Sequence, residues 1–210
     1  MSMVTKLLYV DTETTGLDPV INDPHQIAVI IEINNEVVHE EVFYTQPTNY
    51  DQINDQALET CNITLDKIRA YPIPRITYAR INRLLRKYVD PYNPYDKFIA
   101  VGHNVKFDID MLREWFRKHG NKFFYALIDS KQAYDTLEYT KILHRFGVIP
   151  KLENNKLLTV CNHLGIELEA HDALNDIRAT RSVYLQYKNV FDEIQKFVNE
   201  TNVRLPNHLA

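Results

Sequence analysis

Long apolar runs, closely spaced cysteines and an excess of positive charge are all missing from this chain. Leu7 to Val10 is too short for the core of a signal peptide, and Ile27 to Ile31 is too short to span a bilayer. No membrane partner is expected, and the expected location is cytoplasmic. The two cysteines, Cys61 and Cys161, show no CxxC spacing. Neither a structural zinc site nor a disulfide framework is therefore expected, and a reducing compartment fits. Glycine is scarce, at 5 residues, tyrosine is plentiful, at 13, and no repeat or low-complexity block interrupts the sequence. The net charge of −4 argues at first against a nucleic-acid partner. That objection weakens if the acidic excess includes a metal cage, because bound cations cancel those charges locally. Positive charge is also concentrated: Arg75, Arg80, Arg83, Arg86 and Lys87 share a stretch without acidic residues.

What is present suits one α/β domain. A chain of 210 residues can bury a substantial core, and 45% apolar with 25% charged residues is the balance of an ordinary globular protein. Lys6 to Val10 is expected as a first strand. Gln26 to Ile33 and Glu36 to Tyr44 are rich in β-formers, and Asn34-Asn35 between them suits a tight hairpin turn. Thr45 to Asp96 reads mainly helical, with Ile81, Leu84, Leu85 and Tyr88 forming one apolar stripe. Arg80, Arg83 and Lys87 fall on another face of that helix, either as a solvated face or as a contact surface for phosphates. A fourth strand is expected at Phe98 to Val101 and a helix from about Phe107 to His119, with Leu112, Trp115 and Phe116 inward and Gly120 as its stop. A fifth strand follows around Phe123 to Ile128, then a helix near Asp135 to Phe146. Asn154 or Asn155 can cap another helix, carrying Leu157, Cys161 and Leu164 and ending at Gly165. The last helix begins near Asp172, carries Ala173, Ile177, Thr180 and Tyr184 on one face, and ends near Tyr187. Strands followed by helix-linked strands imply a mixed sheet.

The chemistry is concentrated in three clusters. Asp11-Thr12-Glu13-Thr14-Thr15-Gly16-Leu17 follows directly on the first strand. Side chains on a strand alternate, so Asp11 and Glu13 project from the same face. Two neighbouring carboxylates repel each other and stay ionised together when a hard divalent cation with oxygen ligands sits between them. Taken alone, the pair suits a solvated turn or a helix cap as well. His103-Asn104-Val105-Lys106-Phe107-Asp108 stands where the fourth strand meets its helix, and His171-Asp172-Ala173-Leu174-Asn175-Asp176 opens the last helix. Each places a carboxylate near a helix start, where the helix dipole tolerates negative charge. His25, His39, His119, His144, His163 and His208 show no metal-ligand spacing and are expected at the surface.

DTETTGL at Asp11 to Leu17, HNVKFD at His103 to Asp108 and HDALND at His171 to Asp176 resemble the three motifs of the DEDDh branch of the DnaQ-like 3′–5′ exonucleases. This family includes proofreading subunits of bacterial replicative polymerases. The resemblance runs from about Lys6 to Tyr187, and Phe98 to Gly102 and Tyr134 to Leu137 support it. It implies a ribonuclease H-like α/β fold: a five-stranded mixed sheet, its first three strands antiparallel, flanked by helices. Residues 1–190 would form the exonuclease domain, and residues 191–210 a C-terminal tail that is part of it or partly disordered. The histidine stands five residues before Asp176, as in the histidine branch of the family, rather than a tyrosine four before it.

By that resemblance the catalytic set is Asp11, Glu13, Asp108, His171 and Asp176. Asp11, Glu13 and Asp176 would hold one divalent cation, Mg²⁺ or Mn²⁺, and Asp11 with Asp108 would hold or orient a second. Two such ions clamp a phosphodiester. His171, with an ordinary pKa near ~6.5, would act as general base. Thr14 and Thr15 would bond the sugar of the terminal nucleotide, Gly16 would allow a close approach and Leu17 would pack against the base. His103 and Asn104 would reach phosphate or sugar, and Phe107 would either stack or belong to the core. Asp135 matches a position that is usually structural. The implied activity releases nucleoside 5′-monophosphates from the 3′ end of single-stranded or frayed nucleic acid, DNA before RNA. A DNA polymerase and a second copy of the chain are candidate partners. The rivals are an RNA-trimming exoribonuclease and a non-catalytic nucleic-acid-binding or polymerase-scaffold module, which would have no need of four mutually repelling carboxylates and a histidine.

Overall fold

A computed structural model describes residues 4–169 and 172–201. The strands β1 (Lys6–Thr14), β2 (Pro24–Ile33), β3 (Glu36–Tyr44), β4 (Phe98–Gly102) and β5 (Ile128–Asp135) form one sheet in the order β3-β2-β1-β4-β5. β1 pairs antiparallel with β2, and β2 with β3. β4 joins β1, and β5 joins β4, in parallel. This is the expected ribonuclease H-like mixed sheet with three leading antiparallel strands. The helices are α1 (Asp55–Thr60), α2 (Leu65–Arg69), α3 (Pro74–Tyr88), α4 (Val105–Lys118), α5 (Thr136–Arg145), α6 (Leu157–Leu164) and α7 (Ala173–Thr201).

Both faces of the sheet are covered, and the strands read accordingly. Leu8 and Val10 of β1, with Ile27, Val29 and Ile31 of β2, pack against Ile81 and Leu85 of α3 and Leu112, Trp115 and Phe116 of α4. Leu7 and Tyr9, with Ala28 and Ile30, face Ala173, Ile177 and Tyr184 of α7. Burying each large apolar side chain stabilises the fold by about 2 kcal/mol. A one-residue slip of β1 would exchange its two faces, so the register is strongly specified. The β2–β3 turn has φ of 53° at Asn34 and 67° at Asn35, the two left-handed residues of a type I′ hairpin.

Several boundaries differ from the sequence expectation. β1 continues through the carboxylates to Thr14, because β2 keeps pairing with it as far as Thr14↔Pro24, with a register shift after Glu13. The fifth strand lies at Ile128–Asp135, whereas Phe124–Ala126 is a turn of 3-10 helix and Phe123 is exposed. The middle of β5 is polar and exposed, so it carries no apolar signal, and its ladder is irregular: Phe98 pairs with Ile128 and Ala100 with Ala133. α4 starts earlier, at Val105. Lys156 opens α6 without a side-chain cap, while Asn154 Oδ1 accepts from Lys156 N and Thr159 Oγ1. α7 runs past Tyr187 to Thr201, so position 190 falls inside a helix.

His25 corrects the expectation of surface histidines: it is buried in β2, and neither ring nitrogen has a hydrogen-bond partner among the described residues. His39 is half-buried against Glu41, and His119 stacks on Tyr78 with ring centroids 4.8 Å apart. His208 lies outside the described residues. Burial, with the Lys67 charge adding to it, lowers the His25 pKa to about 4. The unfolded chain, with an imidazole near ~6.5, therefore takes up the proton first as the pH falls. Stability from this group is complete above about pH 6.5 and declines by about 3 kcal/mol on reaching about pH 4. In urea unfolding, the wild type should lose stability relative to His25→Leu between about pH 7 and about pH 5. A constant difference between the two proteins across that range would refute the assignment.

Candidate active site

Period-two alternation continues from the core into the site. Asp11 and Glu13 follow Leu7 and Tyr9 on the face covered by α7, and Asp176 lies in the first turn of that helix. Ligand oxygens of Asp11, Glu13 and Asp176 all lie within 4.8 Å of one another. Thr12 follows Leu8 and Val10 on the opposite face, where α4 begins. There Asp108 Oδ1 accepts hydrogen bonds from Thr12 N at 2.9 Å and from Thr12 Oγ1 at 2.7 Å. The sheet thus receives one carboxylate from the helix layer on each side of β1.

Crowding of like charges is the main electrostatic fact of this site. Burial, then the charges of Asp108, Glu13, Asp176 and Asp172, push the Asp11 carboxyl well above the ordinary carboxylate range. Burial also raises Asp108, to about 7, against the two Thr12 hydrogen bonds that favour its charged form. A divalent cation reverses this balance by attracting every carboxylate around it. The three clustered groups offer only oxygen donors, the chemistry that hard divalent cations take. The residues present therefore fit a divalent cation.

The loop after β1 is built from inside. Thr14 Oγ1 donates to Gly16 O at 2.8 Å, and Thr15 Oγ1 accepts from Asp23 N at 3.0 Å. Both threonine hydroxyls are thus engaged within the loop, where the sequence suggested that they face a sugar. Gly16 is needed for a close approach, but the group that approaches is Asn22: a Cβ on Gly16 would lie 2.4 Å from Asn22 Oδ1. Asn22 cannot readily yield, since Oδ1 accepts from Asp18 N and Nδ2 donates to Gln52 O at 2.6 Å. The buried Asp23 carboxylate accepts from Thr48 N and Thr48 Oγ1 and pairs with Lys118 at 2.8 Å. Held this way, Leu17 stands 81% exposed.

The second cluster is divided between structure and surface. Both His103 ring nitrogens are engaged, Nδ1 with Thr136 Oγ1 at 2.9 Å and Nε2 with Asn155 O at 2.8 Å. Asn104 is exposed in the left-handed region, with φ of 68°, and its N–H donates to Asp135 Oδ1. Asp135 also caps α5 through Leu137 N, which is the structural part expected of it. Phe107 is half-buried in the first turn of α4. His171 lies outside the described residues. Asp172 beside it caps α7, with Oδ1 accepting from Leu174 N and Asn175 N, and Oδ2 accepts from Gln26 Nε2.

Sequence reasoning missed Asn22, Asp23, Gln26, Asp172 and Cys61. The Asn22-Asp23 pair just before β2 was a local turn signal for the first two. Nothing near Cys61 in the chain points to the site, yet its Sγ donates to Glu13 Oε2 at 2.9 Å. Burial, then the bond to Glu13, pushes that thiol well above the ordinary range.

The profile of the RNase_T family, described as exonuclease, matches residues 8–184. The PolC-type DNA polymerase III of Oceanobacillus iheyensis is 28% identical over 201 residues, which cover 95% of this chain and 12% of the polymerase. That of Halalkalibacterium halodurans is 29% identical over 176 residues, 81% of this chain and 10% of the polymerase. The chain therefore spans only a small fraction of these relatives. E. coli exonuclease I in complex with a dT13 oligonucleotide has the same fold, with a TM-score of 0.72 at 23% identity, over 90% of this chain and 43% of that one. The zinc-bound form of the E. coli exonuclease I complex with single-stranded DNA gives 0.72 at 25% identity, over 91% and 43%. The family profile covers β1, which carries Asp11 and Glu13, and the helix starts that carry Asp108 and Asp176: this chain belongs to the exonuclease family.

Proposed function

We propose that the protein is a divalent-cation-dependent 3′–5′ exonuclease that hydrolyses the terminal phosphodiester of single-stranded or frayed DNA and releases nucleoside 5′-monophosphates. The observation that carries this reading is the convergence of Asp11, Glu13 and Asp176 on one oxygen-donor cluster, with Asp108 beside Thr12. Asp11, Glu13 and Asp176 would hold one cation, Mg²⁺ or Mn²⁺, and Asp11 with Asp108 a second. Bound there, the cations would stabilise charge on the attacking and leaving oxygens of the phosphodiester.

The chain's own groups supply position and proton transfer. His171 takes the proton from the attacking water, a task suited to an imidazole that titrates near neutrality. Thr14 and Thr15 shape the loop that presents Gly16 and Leu17 to the 3′ end, and Leu17 packs against the terminal base. A base unstacked by a mismatch is drawn in at lower cost, which favours frayed ends. Asn104 and Phe107, at the mouth of α4, contact the sugar-phosphate, and His103 holds that mouth in place. The DNA substrate is supported by the relatives, which are DNA polymerases and an exonuclease crystallised with DNA oligonucleotides. The polymerase relatives also support a proofreading or repair setting with a DNA polymerase as partner.

With 5′-labelled single-stranded DNA and Mg²⁺ or Mn²⁺, the protein should produce a ladder shortening from the 3′ end, which chelator stops. Asp11→Ala should abolish it, and His171→Ala should lower kcat by about 10²–10⁴-fold, the usual contribution of a general base. Absence of laddering in both metals overturns the enzyme reading, and faster turnover of an RNA oligomer moves the substrate to RNA.

A second outcome needs no substrate. An acid whose pKa is raised in the fold destabilises it increasingly as the pH rises past the ordinary carboxylate range. In chelator at about pH 8, Asp11→Asn should melt above the wild type because it removes one charge from a crowded, partly buried set. Mn²⁺ should raise the wild-type melting temperature and leave that of Asp11→Asn nearly unchanged. An Asp11→Asn protein that melts lower in chelator would show that the carboxylates are not in conflict.

A further inference from the structure

Glu13 is the longest of the three clustered acids and therefore the one with most side-chain freedom to lose on taking a cation. Two bonds tie the α1 segment to β1 and the residue that follows it. Asn54, the N-cap of α1, donates its N–H to Thr15 O at 2.8 Å. At the other end, Cys61 is the C-cap, with its own N–H bonded to Ala57 O and Glu59 O. The sulfur at that cap reaches Glu13 Oε2 at 2.9 Å. The end of α1 thus aims a donor at one carboxylate oxygen of Glu13.

We propose that Cys61 is a positioning residue for the cation seat: its thiol holds the Glu13 carboxylate facing Asp11 and Asp176. This rests on the reading that these three carboxylates take a divalent cation. Partners that orient a metal ligand act through that ligand, and losing one typically weakens metal binding by tenfold or more. Cys161, by contrast, is buried among α5, α6 and α7 side chains.

The test is Mn²⁺ binding to the whole chain by titration calorimetry, with no substrate present. Cys61→Ala should raise the Mn²⁺ Kd about tenfold. Cys61→Ser, which keeps a donor at the same cap, should recover most of the loss. The decisive measurement is Cys61→Ala combined with Glu13→Ala: if the thiol acts through Glu13, the double variant binds no more weakly than Glu13→Ala alone. A purely structural effect of Cys61 would instead add to that of Glu13→Ala and would overturn the proposal, as would wild-type affinity in Cys61→Ala. Asp11→Asn separates the two levels of inference. Loss of binding there beside full binding in Cys61→Ala removes only the positioning role. A wild-type protein that takes up no Mn²⁺ removes the cation seat and the positioning role together.

Discussion

The two-residue period of β1 is the constraint on which the site depends. Buried on both faces, the strand cannot slip by one residue without sending Leu8 and Val10 where Leu7 and Tyr9 belong. That same register carries past the core into Asp11, Thr12 and Glu13. It aims the two carboxylates at the start of α7 and the threonine at the start of α4. Core packing and the geometry of the acidic cluster are in this sense one specification, made by the alternation of side chains along a single strand.

The site so built is under electrostatic strain of its own making. Asp11 is flanked by four acidic side chains, and burial removes much of the water that would screen them. The fold offsets part of this strain without a cation. Asp108 takes two hydrogen bonds from Thr12, and Asp172 takes two from the first turn of α7. Both acids sit at helix starts, where the backbone dipole favours negative charge. What is left uncompensated is centred on Asp11, which would help to hold both proposed cations.

Hydrogen bonds and one ion pair hold the loop and the helix starts around the acidic cluster. Asn22 fills the space that a side chain on Gly16 would need, and Asp23 ties the loop to Thr48 and Lys118. His103 and Asp135 lock the end of β4 to the starts of α4 and α5. These contacts explain how Leu17 can be held out in solvent on a short loop.

The three motifs were legible through their resemblance to the exonuclease family. Local pattern was enough for the leading antiparallel strands and the buried stripes of α3, α4 and α7, because each is encoded by neighbours two, three or four residues apart. The hairpin at Asn34-Asn35 was legible for the same reason, since only a few residue types accept two left-handed positions in succession. β5 was not, because its polar middle carries no apolar signal and interrupts the ladder to β4, which pairs only at Ile128 and from Ala133 onward. His25 was not, because its burial depends on segments remote in the chain, α2 with Lys67 among them. Cys61 and Asn22 became part of the site only when α1 and the Gly16 loop closed on β1. By itself, then, the sequence determined which residues carry charge and on which face of a strand or helix they stand, since those follow from backbone periodicity. Only the tertiary structure decided which groups hold them there, since a hydrogen bond between distant segments leaves no periodic trace in the chain.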